Sequence, residues 1–349
     1  MTRPDRLAVI EVGTKGIRLL VAERREPPEG MRVLESKGAQ SNLGEGLENN
    51  QGQMQRENLH RSLALVHEYQ ILANRFQPAQ VVVVGTEVLR RAANIDEFRH
   101  GLPPPLVLRV LQPEEEAMSS FQAACWGFRN DFPAGGRLTL IDLGGGSLEV
   151  VGGMQGTPPL PLRSISLRTM GTLALRDVWQ RCTEPLHRED ELARYIEAGI
   201  SEHAAELAFF RFCQGKGQGP GGAVLVAGLG STITDSAWVL HRGNRQKYRS
   251  DLVHGLRVTE KDLEDLRRRL LEPSRAEDAL HLPDLLGHQL GLAALLAVLR
   301  FLDVPALSAC GTGLRFGLAY AFLHDLSLTL AETKSSPGAA VPESPPTAF

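Results

Sequence analysis

No two cysteines in this sequence form a CxxC pair, no apolar run is long enough to cross a bilayer, and neither sign of charge dominates. Cys125, Cys182, Cys213 and Cys310 are scattered and outline no disulfide framework, so reduced thiols and a cytoplasmic protein are expected. A transmembrane helix needs roughly 18 apolar residues in a row, and no stretch reaches that length. The opening residues, MTRPDRLAVIEV, run directly into a strand pattern with no signal-peptide core, so neither export nor a membrane partner is expected. A net charge of −3 argues against a general nucleic-acid binder. What the chain does have is length and apolar content. Its 349 residues, 42% hydrophobic, suffice for one large or two ordinary domains with packed cores.

Two stretches share one design. Residues 7–12 and 17–22 read as buried strands around the turn GTKG, and residues 138–143 and 148–152 as buried strands around GGGS. Gly13 and Gly144 are 131 positions apart, as are Glu11 and Asp142. A strand–acid–glycine–strand unit recurring at half-chain spacing implies two related halves facing each other.

Between and after these units the signals alternate. Leu59, Leu63, Val66, Tyr69 and Leu72 recur every three or four residues and predict a one-faced helix over 54–76. VVVVG (81–85) and AVLVAG (223–228) are short buried strands. PEEEAMSSFQAACWG (113–127) predicts a helix with Pro113 in its first turn, and 188–212 and 289–302 read as further helices. Thr259 and Asp262 form a capping-box pair before another helix. Residues 306–323 read as strand, glycine turn and helix. QGKGQGPGG (214–222) predicts a flexible loop, and the Ser/Pro/Ala-rich stretch 332–349 a disordered tail. Strands alternating with helices predict an α/β architecture.

The glycine turns carry the candidate chemistry. Gly144, Gly145, Gly146 and Ser147 bare consecutive amides, a nest for an oxyanion that side chains would obstruct. Asp142 ends the strand before them, where a hard carboxylate oxygen could hold Mg2+, and Glu149 returns on the next strand toward the same cleft. Gly13, Thr14 and Lys15 offer a second anion loop, with Arg18 able to reach back toward it. Gly228, Ser231 and Thr232 lie in a third glycine turn, opening a helix. In GTEVLRRAAN, Arg90 and Arg91 point about 100° apart on a helix. One therefore faces the cleft, where a guanidinium suits phosphate oxygens, and the other the surface. Glu114, Glu115 and Glu116 open the helix at 113. Glu114 complements the helix dipole, and a glutamate turned in among other carboxylates would gain the raised pKa a general base needs. The spacing alone does not choose which.

These pieces, in this order, resemble the exopolyphosphatase / guanosine pentaphosphate phosphatase (Ppx/GppA) family, across roughly residues 7–325. IDLGGGSLEV is the most specific segment. GTEVLRRAANIDEF, NLGEGL, RTMGTLAL and GLRFG are similar to further family segments. The resemblance implies two related actin-like (ribonuclease H-like) domains facing a central cleft. The first would span 1–128, completed by a helix near 312–328, and the second 129–311. It implies Glu116 as the catalytic base, with Glu149 beside it in the cleft. Asp142, Glu149 and the Glu11 position would serve Mg2+, and Arg90 and the glycines would bind phosphate. The expected reaction is release of terminal phosphate from inorganic polyphosphate or a guanosine penta-/tetraphosphate. Relatives often pair, so a homodimer is a further expectation. The first loop departs from the family: Glu11, Thr14, Lys15 and Gly16 stand where Asp-x-Gly-Ser-Asn-Ser is usual. That departure keeps a second reading open, a polyphosphate or nucleotide sensor without turnover. A third reading, a small-molecule kinase of the same superfamily, would need an adenosine pocket around 228–232.

Overall fold

The computed structural model describes residues 5–326 apart from 48, 157–159, 212–223, 247 and 272–279. The loop expected at 214–222, Cys213 and the tail expected from 332 lie outside the described residues.

Nearly continuous apolar runs make strands that are buried on both faces. β1 (Arg6–Val12) and β2 (Gly16–Arg24) pair antiparallel around the GTKG turn, and β3 (Met31–Gln40) continues the meander. β4 (Gln80–Gly85) and β5 (Leu108–Val110) then add in parallel, giving the order β3-β2-β1-β4-β5. The second sheet contains β6 (Arg137–Leu143), β7 (Leu148–Met154), β8 (Leu160–Leu167), β9 (Val224–Leu229), β10 (Arg257–Thr259) and β11 (Ala306–Ala309). Its order is β10-β11-β9-β6-β7-β8. Read from the β8 edge, β8-β7-β6-β9-β11 repeats the first sheet strand for strand, with the same parallel and antiparallel pairings. The repeat at 131 positions in the sequence is thus a repeat of topology.

Alternation along the strands sorts side chains to two faces. Ala8, Ile10 and Val12 pack with the helix Arg56–Asn74, whereas Leu7 and Val9 pack with the helix Leu314–His324. In the second sheet Ile141, Leu143 and Val150 meet the helices Leu285–Phe301 and Ser231–Arg242, and Leu138 and Leu140 meet Ala117, Phe121 and Ala124 of the helix Pro113–Gly127. The helices Pro113–Gly127 and Leu314–His324 therefore lie between the two sheets. They touch where a Cβ on Gly317 would collide with the Ser119 carbonyl. That contact explains the second glycine of GLRFG.

Two expectations change. The helix expected over 188–212 runs from Arg188 to Glu202 and breaks at His203, whose backbone (φ −113°, ψ 17°) leaves the helical ladder before one short turn at Ala204–Leu207. The sequence reading did not anticipate β3, which is charged and half exposed on a sheet edge, so it lacks a clear alternation signal. The Thr259–Asp262 capping box is present, with the Asp262 amide donating to Thr259 Oγ1 at 3.1 Å. Among the described residues no helix is long and apolar enough to cross a membrane.

Candidate active site

The turns of the two hairpins meet, Gly145 facing Thr14 and Lys15. In the second, Asp142 and Glu149 stand directly opposite each other. The Ser120 hydroxyl donates to Asp142 at 3.0 Å and the Ser166 hydroxyl to Glu149 at 3.1 Å. Burial raises both carboxyl pKa values, mutual repulsion raises Glu149 further, and Glu11 adds to the rise at Asp142. In the first hairpin the equivalent positions hold Glu11 opposite Arg18. That pair is an ion pair at 3.2 Å, with buried Arg315 at 3.9 Å from the other Glu11 oxygen.

The helix Pro113–Gly127 gives its three leading glutamates three different surroundings. Glu114 is exposed. Glu115 closes a capping box, accepting from the Gln112 amide at 2.8 Å, and pairs with Arg109. Glu116 turns inward and pairs with Arg90, whose guanidinium also donates to the Leu111 carbonyl at 2.6 Å. Burial pushes the Glu116 carboxyl up to about 8; Glu149 and Glu87 add to this, and together they outweigh the pull of Arg90.

The glycine turn is clamped from behind. The amides of Thr172 and Leu173, at the start of the helix Thr172–Arg181, donate to the carbonyls of Gly144 and Gly145 at 3.1 and 2.9 Å. From the front it meets the other half of the chain. A Cβ on Gly145 would press on Thr14 and Lys15 at 3.1–3.2 Å, and one on Gly146 would collide with Glu87 Oε2. Lys15 reaches across to Asp284 Oδ2 at 3.2 Å, and Arg176 holds the other Asp284 oxygen. Asp284 also caps the helix Leu285–Phe301, accepting from the Gly287 amide at 2.9 Å. Burial lowers the Lys15 pKa despite Asp284. A cavity of about 130 Å³ opens beside the turn, lined among others by Thr14, Glu87, Arg91, Gly145, Gly146 and Arg176.

The third turn is placed differently. Gly230 takes a left-handed φ of +102° and packs on the Leu143 carbonyl at the end of β6, so 228–232 adjoins the glycine turn through the backbone. Gly228 accepts from the Cys310 amide at 2.7 Å, Ser231 begins the helix Ser231–Arg242, and buried Thr232 packs against Gly291. The structure therefore gathers Glu116, Arg90, Asp142, Glu149, Thr14, Lys15 and the glycines at the junction of the two halves. Thr232 instead lies between two helices.

A family model for the Ppx/GppA phosphatase family matches residues 20–326. The chain belongs to the Ppx/GppA phosphatase family. A Haemophilus influenzae protein named as an exopolyphosphatase is 30% identical over 154 residues, which is 44% of this chain and 46% of that one. The chain thus matches about half the length of that curated relative. The solved Aquifex aeolicus Ppx/GppA enzyme superposes with a TM-score of 0.73 at 23% identity, covering 91% of this chain and 99% of that one. An exopolyphosphatase from Cytophaga hutchinsonii gives a TM-score of 0.73 at 18% identity, covering 93% and 99%. These likenesses establish the fold, two facing actin-like halves.

Within this Ppx/GppA fold the donor chemistry fits a hard divalent cation at the second hairpin. Two opposed carboxylates whose charged forms repel would be relieved by Mg2+, which takes oxygen ligands and keeps several waters. Among the described residues no three His, Cys, Asp or Glu side chains are arranged to hold a metal together, so water would supply the remaining ligands. Glu11 is the least suited of the three acids, because one of its oxygens is bound to Arg18.

Sequence reasoning missed Glu87, Arg176, Asp284 and Arg315. Glu87 follows Thr86 in the segment whose two arginines drew the attention. Asp284 carried the signal of a helix cap. Arg176 carried none, and Arg315 sat inside GLRFG, which was read only as a family segment.

Proposed function

We propose that this chain is a Mg2+-dependent phosphohydrolase that releases terminal phosphate from inorganic polyphosphate or a guanosine penta-/tetraphosphate. The observation that carries the reading is the Glu116 carboxyl, pushed up to about 8, interacting with Glu149 and Glu87 while Glu87 touches Gly146. A proton acceptor works best with a pKa near the operating pH. The terminal phosphoryl group would sit against the bared glycine backbone. A water oxygen attacks its phosphorus, the bridging P–O bond breaks in line, and Glu116 takes the water's proton. Arg90 holds the carboxylate in place through its second anchor on the Leu111 carbonyl. Asp142 and Glu149 would hold Mg2+, which when bound neutralises charge on the phosphoryl oxygens.

A second reading, a sensor without turnover, rests on the first loop, where Lys15 is tied to Asp284 and Glu11 to Arg18. One assay separates the two. Phosphate release is measured from polyphosphate, guanosine penta-/tetraphosphate and ATP, with and without Mg2+. Release from either of the first two that depends on Mg2+ supports the hydrolase. Tight binding by calorimetry with no release supports the sensor, and transfer from ATP to an acceptor would indicate a kinase.

A further inference from the structure

The glycine turn already has an anion against it. Glu87 is 6% exposed, and its Oε2 fills the space on which the Gly146 α-carbon opens, with Thr14 Oγ1 at 3.4 Å from the same point. Its other oxygen, Oε1, accepts from Arg91 at 2.8 Å. Glu87, Gly145, Gly146, Thr14 and Arg91 all line the 130 Å³ cavity, so this carboxylate borders open space beside the turn. Its charge is favoured by Arg90, Arg91 and Arg168, and it in turn destabilises the charged form of Glu116 and Glu149. Burial also raises its own pKa. A carboxylate buried against a turn whose backbone is bared calls for an account beyond packing.

We propose that Glu87 is a specificity-determining residue, a built-in competitor whose carboxylate occupies the phosphate-facing side of the glycine turn and must be displaced by an incoming phosphate. The inference rests on the phosphohydrolase reading and deepens it. Glu87 weakens the hold of the site on single phosphate ions, including the product. A substrate with further phosphates overcomes it by drawing on Arg176, which lines the same cavity and is paired with Asp284. When displaced, the Glu87 side chain keeps Arg91, one helical turn away, as its partner.

The test is calorimetric titration of inorganic phosphate, with Mg2+ present, into the wild type, Glu87→Gln, Glu87→Ala and Glu87→Asp, alongside kcat and KM on polyphosphate. Removing a unit negative charge a few ångströms from a bound anion predicts at least about tenfold tighter phosphate binding in Glu87→Gln and Glu87→Ala. Inhibition by phosphate should strengthen in step. Glu87→Asp, which keeps the charge but withdraws it by one methylene, should fall between. Unchanged phosphate affinity in folded Glu87→Gln and Glu87→Ala overturns the inference, and so does a collapse of kcat with affinity unchanged. If the wild type hydrolyses polyphosphate while the variants bind phosphate as it does, this inference alone falls. A wild type that neither binds phosphate nor hydrolyses polyphosphate removes the phosphohydrolase reading and this inference with it.

Discussion

The hairpins β1–β2 and β6–β7 share register, connectivity and burial, and differ in the charges they set face to face. In the first, Glu11 opposes Arg18 and the pair neutralises itself at 3.2 Å. In the second, Asp142 opposes Glu149 and both carboxyls are pushed upward. Like charges directly opposite are destabilising in a sheet, and opposite charges are not. One copy of the design thus holds its charge internally, while the other sets two like charges face to face.

The largest expected effect lies beside the second hairpin. Glu116→Gln should lower phosphate release about 10²–10⁴-fold, the typical worth of a positioned base, with circular dichroism showing an intact fold. Next comes the first hairpin. Arg18→Ala removes the closer of two cations from buried Glu11 and should destabilise by about 1–2 kcal/mol, between an exposed and a buried pair because Arg18 is partly exposed. Denaturant unfolding of Arg18→Ala against Glu11→Gln/Arg18→Ala checks it, since the double variant should recover most of the loss.

The opposite sign is expected across the sheet partner. Asp142→Asn removes the repulsion with Glu149 and should raise stability by up to about 1 kcal/mol, read as a higher melting temperature, while activity is lost. A fall in melting temperature would contradict the contrast between the hairpins. The last effect is a slope. Glu116 keeps its proton in the folded state up to about pH 8, against 4.5 for the free side chain. The folded state therefore binds more protons than the unfolded state between those values, so stability falls as pH rises through that window. Melting temperatures between pH 5 and 8 should decline more gently in Glu116→Gln than in the wild type.

Much of this was legible in the residues. Apolar runs around glycine turns located β1, β2, β6 and β7, because strands buried on both faces leave a continuous signal. The edge strand β3 did not, because its exposed charged residues interrupt the pattern. The glycines announced close approach of something to the backbone. In the structure that something includes Glu87, 59 positions away, and Thr14 and Lys15, about 130 positions away, all from the facing half. No local pattern encodes such a contact. Choosing among Glu114, Glu115 and Glu116 likewise needed the helix to be placed, since only its rotation decides which acid caps, which faces solvent and which meets Arg90.

The account turns on Glu116 as the proton acceptor beside the second hairpin. Its most direct measurement is the pH dependence of kcat/KM for phosphate release from polyphosphate, in the wild type and in Glu116→Gln. The account predicts a wild-type rate that climbs with pH through an apparent pKa near about 8, as the carboxyl gives up its proton, and a residual variant rate without that limb. A limb of the same height and midpoint in Glu116→Gln would contradict it.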